Sequence, residues 1–293
     1  MGSRLAVGIL ASMAPHILEQ TVAHWLPEFC SVYVHVDTKY DAEAFSFLAG
    51  FPSVTLIEER HRVMWGGFSM VEAEISLMRA ALDDGFDHFI FISDDTVPLL
   101  PLTRMLALLD APESWSMLGK VENRDVIARY EGFYCLDINA SNPRNRSLTY
   151  EPGEMDLLLE LYMLGKSGKF PLKGLYWSAN WKALPREDVE FVVRSHRNGG
   201  HMTQSFKFSI NSDEHYMQTL LGHRPSGARY VSKFIWADFR KDPKPYVMTV
   251  LEDFEEPLGE GYWFARKVHD PEIARAMLAR IGGEQPVGSS NNG

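Results

Sequence analysis

The chain has little cysteine: Cys30 and Cys135 are the only two in 293 residues. Two cysteines exclude a disulfide framework, and neither stands in a zinc-ligand spacing. They could form one disulfide; two free thiols in a reducing compartment is the favoured expectation. Basic residues are outnumbered, with 29 Lys and Arg against 39 Asp and Glu and a net charge of −10. That balance argues against a nucleic-acid partner, whose footprint is a basic surface, while leaving room for a local anion pocket. Long apolar runs are missing too. The first one, Leu5 to Ala11, has the length of a strand, not of a membrane span, and the N-terminus lacks a signal-peptide layout. The expected location is the cytoplasm, with peripheral association at the inner face of a membrane as an option, or the soluble part of something longer. The 10 histidines form no His-Glu-x-x-His cluster, and no P-loop, Gly-x-Gly-x-x-Gly or Gly-x-Ser-x-Gly motif occurs. P-loop enzymes, standard dinucleotide enzymes and nucleophile-elbow hydrolases are therefore unsupported.

What is present is globular: 45% hydrophobic and 23% charged residues, an ordinary balance. Apolar runs predict strands at 5–11, 31–37, 54–57 and 88–93. Helical spacing predicts helices at 15–25, 41–49, 69–84 and 98–110, the third opened by a Ser69-x-x-Glu72 capping box. This alternation predicts an α/β fold with a largely parallel sheet. Ligands of such sheets sit at the carboxyl ends of the strands, where Asp37 and Ser93-Asp94-Asp95 fall. Residues 120–150 read as a long polar surface segment, 153–165 as a helix, 174–240 as mixed, and 271–281 as a closing helix. With no repeat and no linker, the expectation is one domain over 1–281 and a disordered tail over 282–293.

Several constellations have two readings. Asp94-Asp95 suits a divalent metal on a diphosphate, or equally a helix N-cap with a first-turn acid. Trp65-Gly66-Gly67 suits a loop that approaches a ligand closely and offers it an aromatic face, or a plain turn with Trp65 in the core. Glu214, in Asn-Ser-Asp-Glu-His, suits a general base, or a dipole-complementing acid at a helix start. Lys241, Lys244, Arg266 and Lys267 suit a pyrophosphate clamp, or a solvated surface.

Six ordered segments resemble the core-2/I-branching N-acetylglucosaminyltransferase and protein xylosyltransferase family, glycosyltransferase family 14, over residues 5–278. They are Tyr33-Val-His-Val-Asp-Thr-Lys39, Val63-Met-Trp-Gly-Gly-Phe-Ser-Met-Val-Glu-Ala-Glu74, Phe91-Ile-Ser-Asp-Asp-Thr-Val-Pro-Leu99, Ser178-Ala-Asn-Trp-Lys-Ala-Leu-Pro-Arg186, Ser212-Asp-Glu-His-Tyr-Met-Gln-Thr-Leu-Leu221 and Phe264-Ala-Arg-Lys267. The resemblance implies a GT-A-type fold, a Rossmann-like mixed sheet flanked by helices. It implies inverting, metal-independent transfer of a sugar, N-acetylglucosamine or xylose first, from a UDP-sugar to a hydroxyl of a glycan or lipid-linked saccharide, with no cofactor and no nucleic acid. By the same resemblance Glu214 is the catalytic base. Ala11, Asp37, Trp65, Lys244, Arg266 and Lys267 belong to the UDP site. Ser93, Asp94, Asp95, Trp181 and Asp213 belong to the sugar or acceptor side, with 122–147 as a further acceptor segment. The chain departs from the family in lacking an N-terminal anchor and many cysteines, which fits a bacterial relative. It also has Ser-Ala-Asn-Trp where the family has Gly-Ser-Gln-Trp, and Lys244-Pro245 where many relatives have His-Pro. The competing readings are a metal-dependent transferase using Asp94 and Asp95, and a non-catalytic glycan- or nucleotide-binding module.

Overall fold

A computed structural model describes residues 4–24, 30–138, 153–240 and 244–282. Residues 139–147 of the expected acceptor segment, Lys241 and the tail from 283 onward lie outside the described residues.

Ten strands and ten helices are described. The strands are β1 (Leu5–Ala11), β2 (Cys30–Val36), β3 (Val54–Leu56), β4 (His88–Ser93), β5 (Val97–Pro98), β6 (Trp115–Met117), β7 (Lys182–Pro185), β8 (Arg229–Val231), β9 (Ile235–Ala237) and β10 (Phe264–Arg266). The helices are α1 (Pro15–His24), α2 (Ser69–Leu82), α3 (Leu102–Asp110), α4 (Arg124–Glu131), α5 (Glu154–Ser167), α6 (Arg186–Asn198), α7 (His201–Lys207), α8 (Tyr216–Gly222), α9 (Glu255–Glu260) and α10 (Pro271–Gly282).

The central sheet runs β3-β2-β1-β4-β7. Its first four strands are parallel, and β7 is antiparallel to β4. Every residue of β1 is buried, as expected for a parallel strand covered on both faces. The alternation of side chains decides which layer each residue meets. Ala6 and Leu10 join Phe89 and Phe91 against α2, α6 and α8. Leu5, Val7, Ile9 and Ala11 join Ile90 and Ile92 against α1 and α3. Gly8 leaves room for a neighbour: a Cβ there would lie 2.5 Å from the Phe89 ring.

A second sheet, β5-β10-β9, packs on α10 and α1 through Val97, Ala265, Met277 and Ile17. Because β10 pairs with β5, the residues after it return to the end of β4. Val268 donates its N–H to the Asp95 carbonyl at 3.0 Å. β7 starts opposite Phe91, so the chain just before it also lies at the carboxyl edge of the parallel strands.

Three local expectations change. The helix expected from 98 begins at Leu102, because Val97-Pro98 is spent on pairing with β10 and Leu99 donates to Trp263 O at 2.7 Å. The polar stretch after 120 contains α4, capped by Asn123, whose side chain accepts from Asp125 N at 2.9 Å. The Ser69-Glu72 box does not form. A distant carboxylate, Asp137, accepts from Phe68 N at 2.8 Å, Ser69 N at 3.2 Å and Ser69 Oγ at 2.5 Å. Glu72 pairs instead with His196 at 3.1 Å. Asp137 thus takes the Ser69 amide, and the Glu72 amide donates to Phe68 O at 3.1 Å, so both donors of the local box are used elsewhere. Cys30 and Cys135 form no disulfide, and burial pushes their thiols up to about 12 and about 11.

Candidate active site

The carboxyl ends of β1, β2 and β4 form one edge. Ala11 sets its base: the carbonyl accepts from Asp37 N at 3.0 Å, and the methyl is buried in the core. Ala11 therefore shapes the edge through its backbone and presents no side chain there. The Asp37 carboxylate is buried. Its Oδ1 accepts from Lys39 N at 3.0 Å and Val63 N at 3.3 Å, and its Oδ2 pairs with Lys39 Nζ at 3.1 Å. Lys39 Nζ also donates to Val63 O. Asp37 and Lys39 thus clamp the chain that leads into Trp65.

Trp65 is 54% exposed, which rules out the core reading and leaves its ring on the surface. Gly66 has φ +74, the left-handed region, and its carbonyl accepts from Asn211 N at 2.8 Å. Asn211 is itself left-handed, φ 56, a conformation asparagine tolerates better than most residues. A Cβ on Gly66 would lie 2.8 Å from Asn211 Oδ1, and one on Gly67 2.2 Å from Asp137 Oδ1. Both glycines are thus required where two distant segments close on the loop. This contact fixes the Trp65 loop to the turn that carries Glu214.

Glu214 ends a short 3-10 turn, Ser212–Glu214, just before α8. Arg129 Nη1 in α4 donates to its Oε2 at 2.8 Å, and Trp177 Nε1 donates to the same oxygen at 2.9 Å. The described residues give Oε1 no hydrogen bond, and the side chain is 27% exposed. One oxygen is held and the other faces outward. The neighbouring Asp213 has a buried Oδ1 with no hydrogen-bond partner among the described residues. Burial, then the charge of Glu214, push it up to about 7, with Lys182 pulling the other way. Lys182 is committed to Glu74, at 2.9 and 3.0 Å from its two oxygens.

At the end of β4, Asp94 and Asp95 point to different partners. Asp94 Oδ2 accepts from Ser12 N at 2.6 Å and Ala14 N at 2.9 Å. Burial and then Asp95 push it up to about 6, against those amides. Asp95 takes Ser93 Oγ at 2.6 Å, Arg266 Nε at 3.2 Å and Lys267 Nζ at 3.2 Å. Burial would raise Asp95, but the two cations outweigh it and hold it at about 2. Neither residue is an N-cap of α3, which starts seven positions later at Leu102. Asp94 ties down the turn after β1; Asp95 gathers Arg266 at the end of β10 and Lys267 just after it. Among the described residues, no group of three His, Cys, Asp or Glu side chains is arranged to hold a metal ion.

Arg266 also lies over the Trp181 ring, 4.8 Å from its centroid, and Trp181 packs on Phe91 at 5.1 Å. Lys244 is exposed. Two residues beyond it, Tyr246 O accepts from Lys267 N at 3.5 Å and Met248 N donates to Lys267 O at 2.8 Å. The backbone after Lys244 therefore runs beside Lys267. The structure accordingly brings Asp37, Trp65 and Glu214 into one bonded network. It brings Ser93, Asp95, Arg266, Lys267 and Trp181 into another. Sequence reasoning missed Arg129, Trp177 and Asp137. Asn211 alone had a local sign, an asparagine just before a turn.

A mostly parallel α/β sheet flanked by helices, with carboxylates, cations and tryptophans gathered at its carboxyl edge, is the architecture of a GT-A-like glycosyltransferase. The chain belongs to the Core-2/I-Branching enzyme family, whose model matches residues 16–245. Members of that family are glycosyltransferases, so this chain is a transferase acting on a sugar donor and a glycan acceptor. No curated protein matches it. No described helix is long and apolar enough to cross a membrane.

Proposed function

We propose that this glycosyltransferase moves a sugar, N-acetylglucosamine or xylose first, from a UDP-sugar to a hydroxyl of a glycan or glycolipid, with inversion and without a metal. Glu214 is the base. The observation that carries this reading is the Glu214 carboxylate itself. Two donors hold Oε2, and Oε1 is left to accept the proton of an incoming hydroxyl. As the hydroxyl loses that proton to Glu214, its oxygen attacks the anomeric carbon from the face opposite UDP. The bond to the UDP oxygen breaks, and an α-linked donor gives a β-linked product.

The leaving diphosphate gains negative charge, which positioned cations can stabilise as a metal would. Arg266 and Lys267 share one carboxylate, Asp95, so the cluster has a surplus positive charge. The chain that follows Lys244 runs beside Lys267 at Tyr246 and Met248. Asp94 and Asp95 are spent on backbone amides and on these cations, which favours the metal-independent reading. Trp65 offers an exposed ring for the uracil, on a loop that Asp37 holds.

The test is Glu214→Gln assayed with and without EDTA. UDP-sugar turnover should fall by about a hundred- to ten-thousandfold, the usual contribution of a positioned base, while UDP binding by calorimetry persists. EDTA should leave the wild type unchanged. Retained transfer by the variant would remove Glu214 from the role, and loss of wild-type turnover in EDTA would restore the metal.

A further inference from the structure

Helix α4 brings Arg129 to Glu214, yet little apolar packing seats it. Of its eight residues only Tyr130 is buried, and a helix of that length does not stand alone in water. Polar ties at its C-terminal end set its position instead, because the last carbonyls of a helix have no partner within it. Ile210 N donates to Arg129 O at 3.2 Å. Tyr130 O accepts from Lys169 Nζ at 2.5 Å, and the Tyr130 hydroxyl donates to Phe170 O at 2.7 Å. Lys169 stands just beyond α5 in the chain, and the networks described above leave it unused.

The same ammonium donates to Phe208 O at 2.9 Å and to Ser209 Oγ at 2.8 Å. These two residues open the stretch that leads through Asn211 to Glu214. An ammonium has three protons, and here each has an acceptor. Together they join the end of the helix that carries Arg129 to the approach to the carboxylate that Arg129 holds. Among the described residues no carboxylate pairs with Lys169. Its other neighbours are the rings of Tyr130 and Phe133, with centroids at 5.1 and 5.2 Å. Burial pushes Lys169 down to about 7, and the three oxygens act the other way by favouring the charged form. An uncharged side chain of similar length would leave the Tyr130 and Phe208 carbonyls side by side without the cation between them. Like ends of two dipoles would then face each other at the C-terminus of α4, where a cation is the favoured neighbour.

We propose that Lys169 is a positioning residue: it fastens the end of α4 to the approach to Glu214 and so holds Arg129 on Glu214 Oε2. The proposal rests on the reading of Glu214 as the base. It adds a residue that acts through Arg129 and not on the reacting atoms. Without Lys169, α4 shifts and the Arg129 bond weakens, while Trp177 still donates to the same oxygen. The carboxylate then turns on one donor instead of two. Trp65, Arg266 and Lys267 belong to other parts of the edge, so the loss falls on kcat and not on the KM of the donor.

The experiment reads the geometry and the turnover separately. Protein labelled with 5-fluorotryptophan gives one ¹⁹F signal per tryptophan, and Trp177→Phe assigns the one bonded to Glu214. Work at about pH 6 keeps Lys169 charged. Lys169→Met should move the Trp177 signal in the direction in which Arg129→Ala moves it, while the other tryptophan signals stay in place. It should lower kcat by about two- to tenfold, the scale of one hydrogen bond, with KM for the UDP-sugar unchanged. Added to Arg129→Ala it should cost less than about a further twofold, since residues that act through one contact are not additive. Lys173→Met, at an exposed lysine of the same segment, should change neither readout. If Lys169→Met does not fold, Ser209→Ala removes one of the three acceptors and should move the Trp177 signal the same way, by less. A Trp177 signal that stays in place in the folded variant overturns the proposal, and so does a loss that adds in full to that of Arg129→Ala. If the signal moves and kcat holds, Lys169 keeps its hold on Arg129, and it is Glu214 that loses the role of base.

Discussion

Arg129 and Trp177 both end on Glu214 Oε2, but they are not equal partners. Arg129 brings a full charge, and a hydrogen bond to a charged group contributes about 1.5–3 kcal/mol. Arg129→Ala should therefore lower kcat/KM by about 10- to 100-fold, with a smaller loss in Trp177→Phe. Steady-state kinetics with one donor and one acceptor would check both. The same scale holds a pH prediction. Asp95 is held at about 2 against an ordinary 3.8, because Arg266 and Lys267 overcome its burial. A depressed carboxyl stabilises the fold above its unfolded value and loses that contribution as pH falls through the folded one. At neutral pH this amounts to on the order of 2 kcal/mol. Asp95→Asn should be less stable by that order in urea at pH 7. The gap should narrow below pH 4 and close near pH 2.

At the level of elements, the decisive joint is the loop between β3 and α2. Its start is held by Asp37 and Lys39, its end by Asp137, and its middle by Asn211. Gly66 has to sit at φ +74 for this to close. An alanine there would carry about 1–2 kcal/mol of left-handed strain and would press on Asn211. Gly66→Ala should lower the melting temperature and weaken UDP binding together, since both depend on the seat of Trp65. Gly119→Ala, where an added Cβ meets nothing within 4 Å, should change neither. Thermal denaturation and UDP titration of the two variants would decide the point. Helix α2 shows why the local capping box failed. Ser69 and Glu72 have the right spacing, but a carboxylate from after α4 takes the Ser69 amide, the Glu72 amide donates to Phe68 O, and the Glu72 side chain is drawn to His196 on α6.

Across the whole molecule, the buried pair Glu74–Lys182 links α2 to β7, and so joins a helix of one layer to the edge strand of the sheet. Glu74 is fully buried and Lys182 nearly so. Lys182→Met leaves a buried carboxylate unpaired and should cost about 3–5 kcal/mol. Glu74→Gln added to it should recover much of that loss, as a double-mutant cycle in urea would show. Buried strands, amphipathic helices and the edge where ligands sit were legible from the sequence, because runs such as Leu5–Ala11 and His88–Ser93 can bury themselves in few other ways. The ordered segments around Trp65, Asp94, Trp181, Glu214 and Lys267 also marked the family. The sequence could not say that Asp94 binds amides while Asp95 binds Arg266 and Lys267, since two adjacent acids look alike until the return of β10 gives one of them cations. Nor could it name Arg129 or Trp177. They lie 85 and 37 positions from Glu214, and a hydrogen bond at such a distance is set by how α4 and the approach to β7 pack, which no local pattern records. Residue types and their periods thus determined the sheet and its edge, and the resemblance of ordered segments marked Glu214 as the candidate base. Packing between distant elements alone decided which oxygen of Glu214 is held by Arg129 and Trp177 and which is left open.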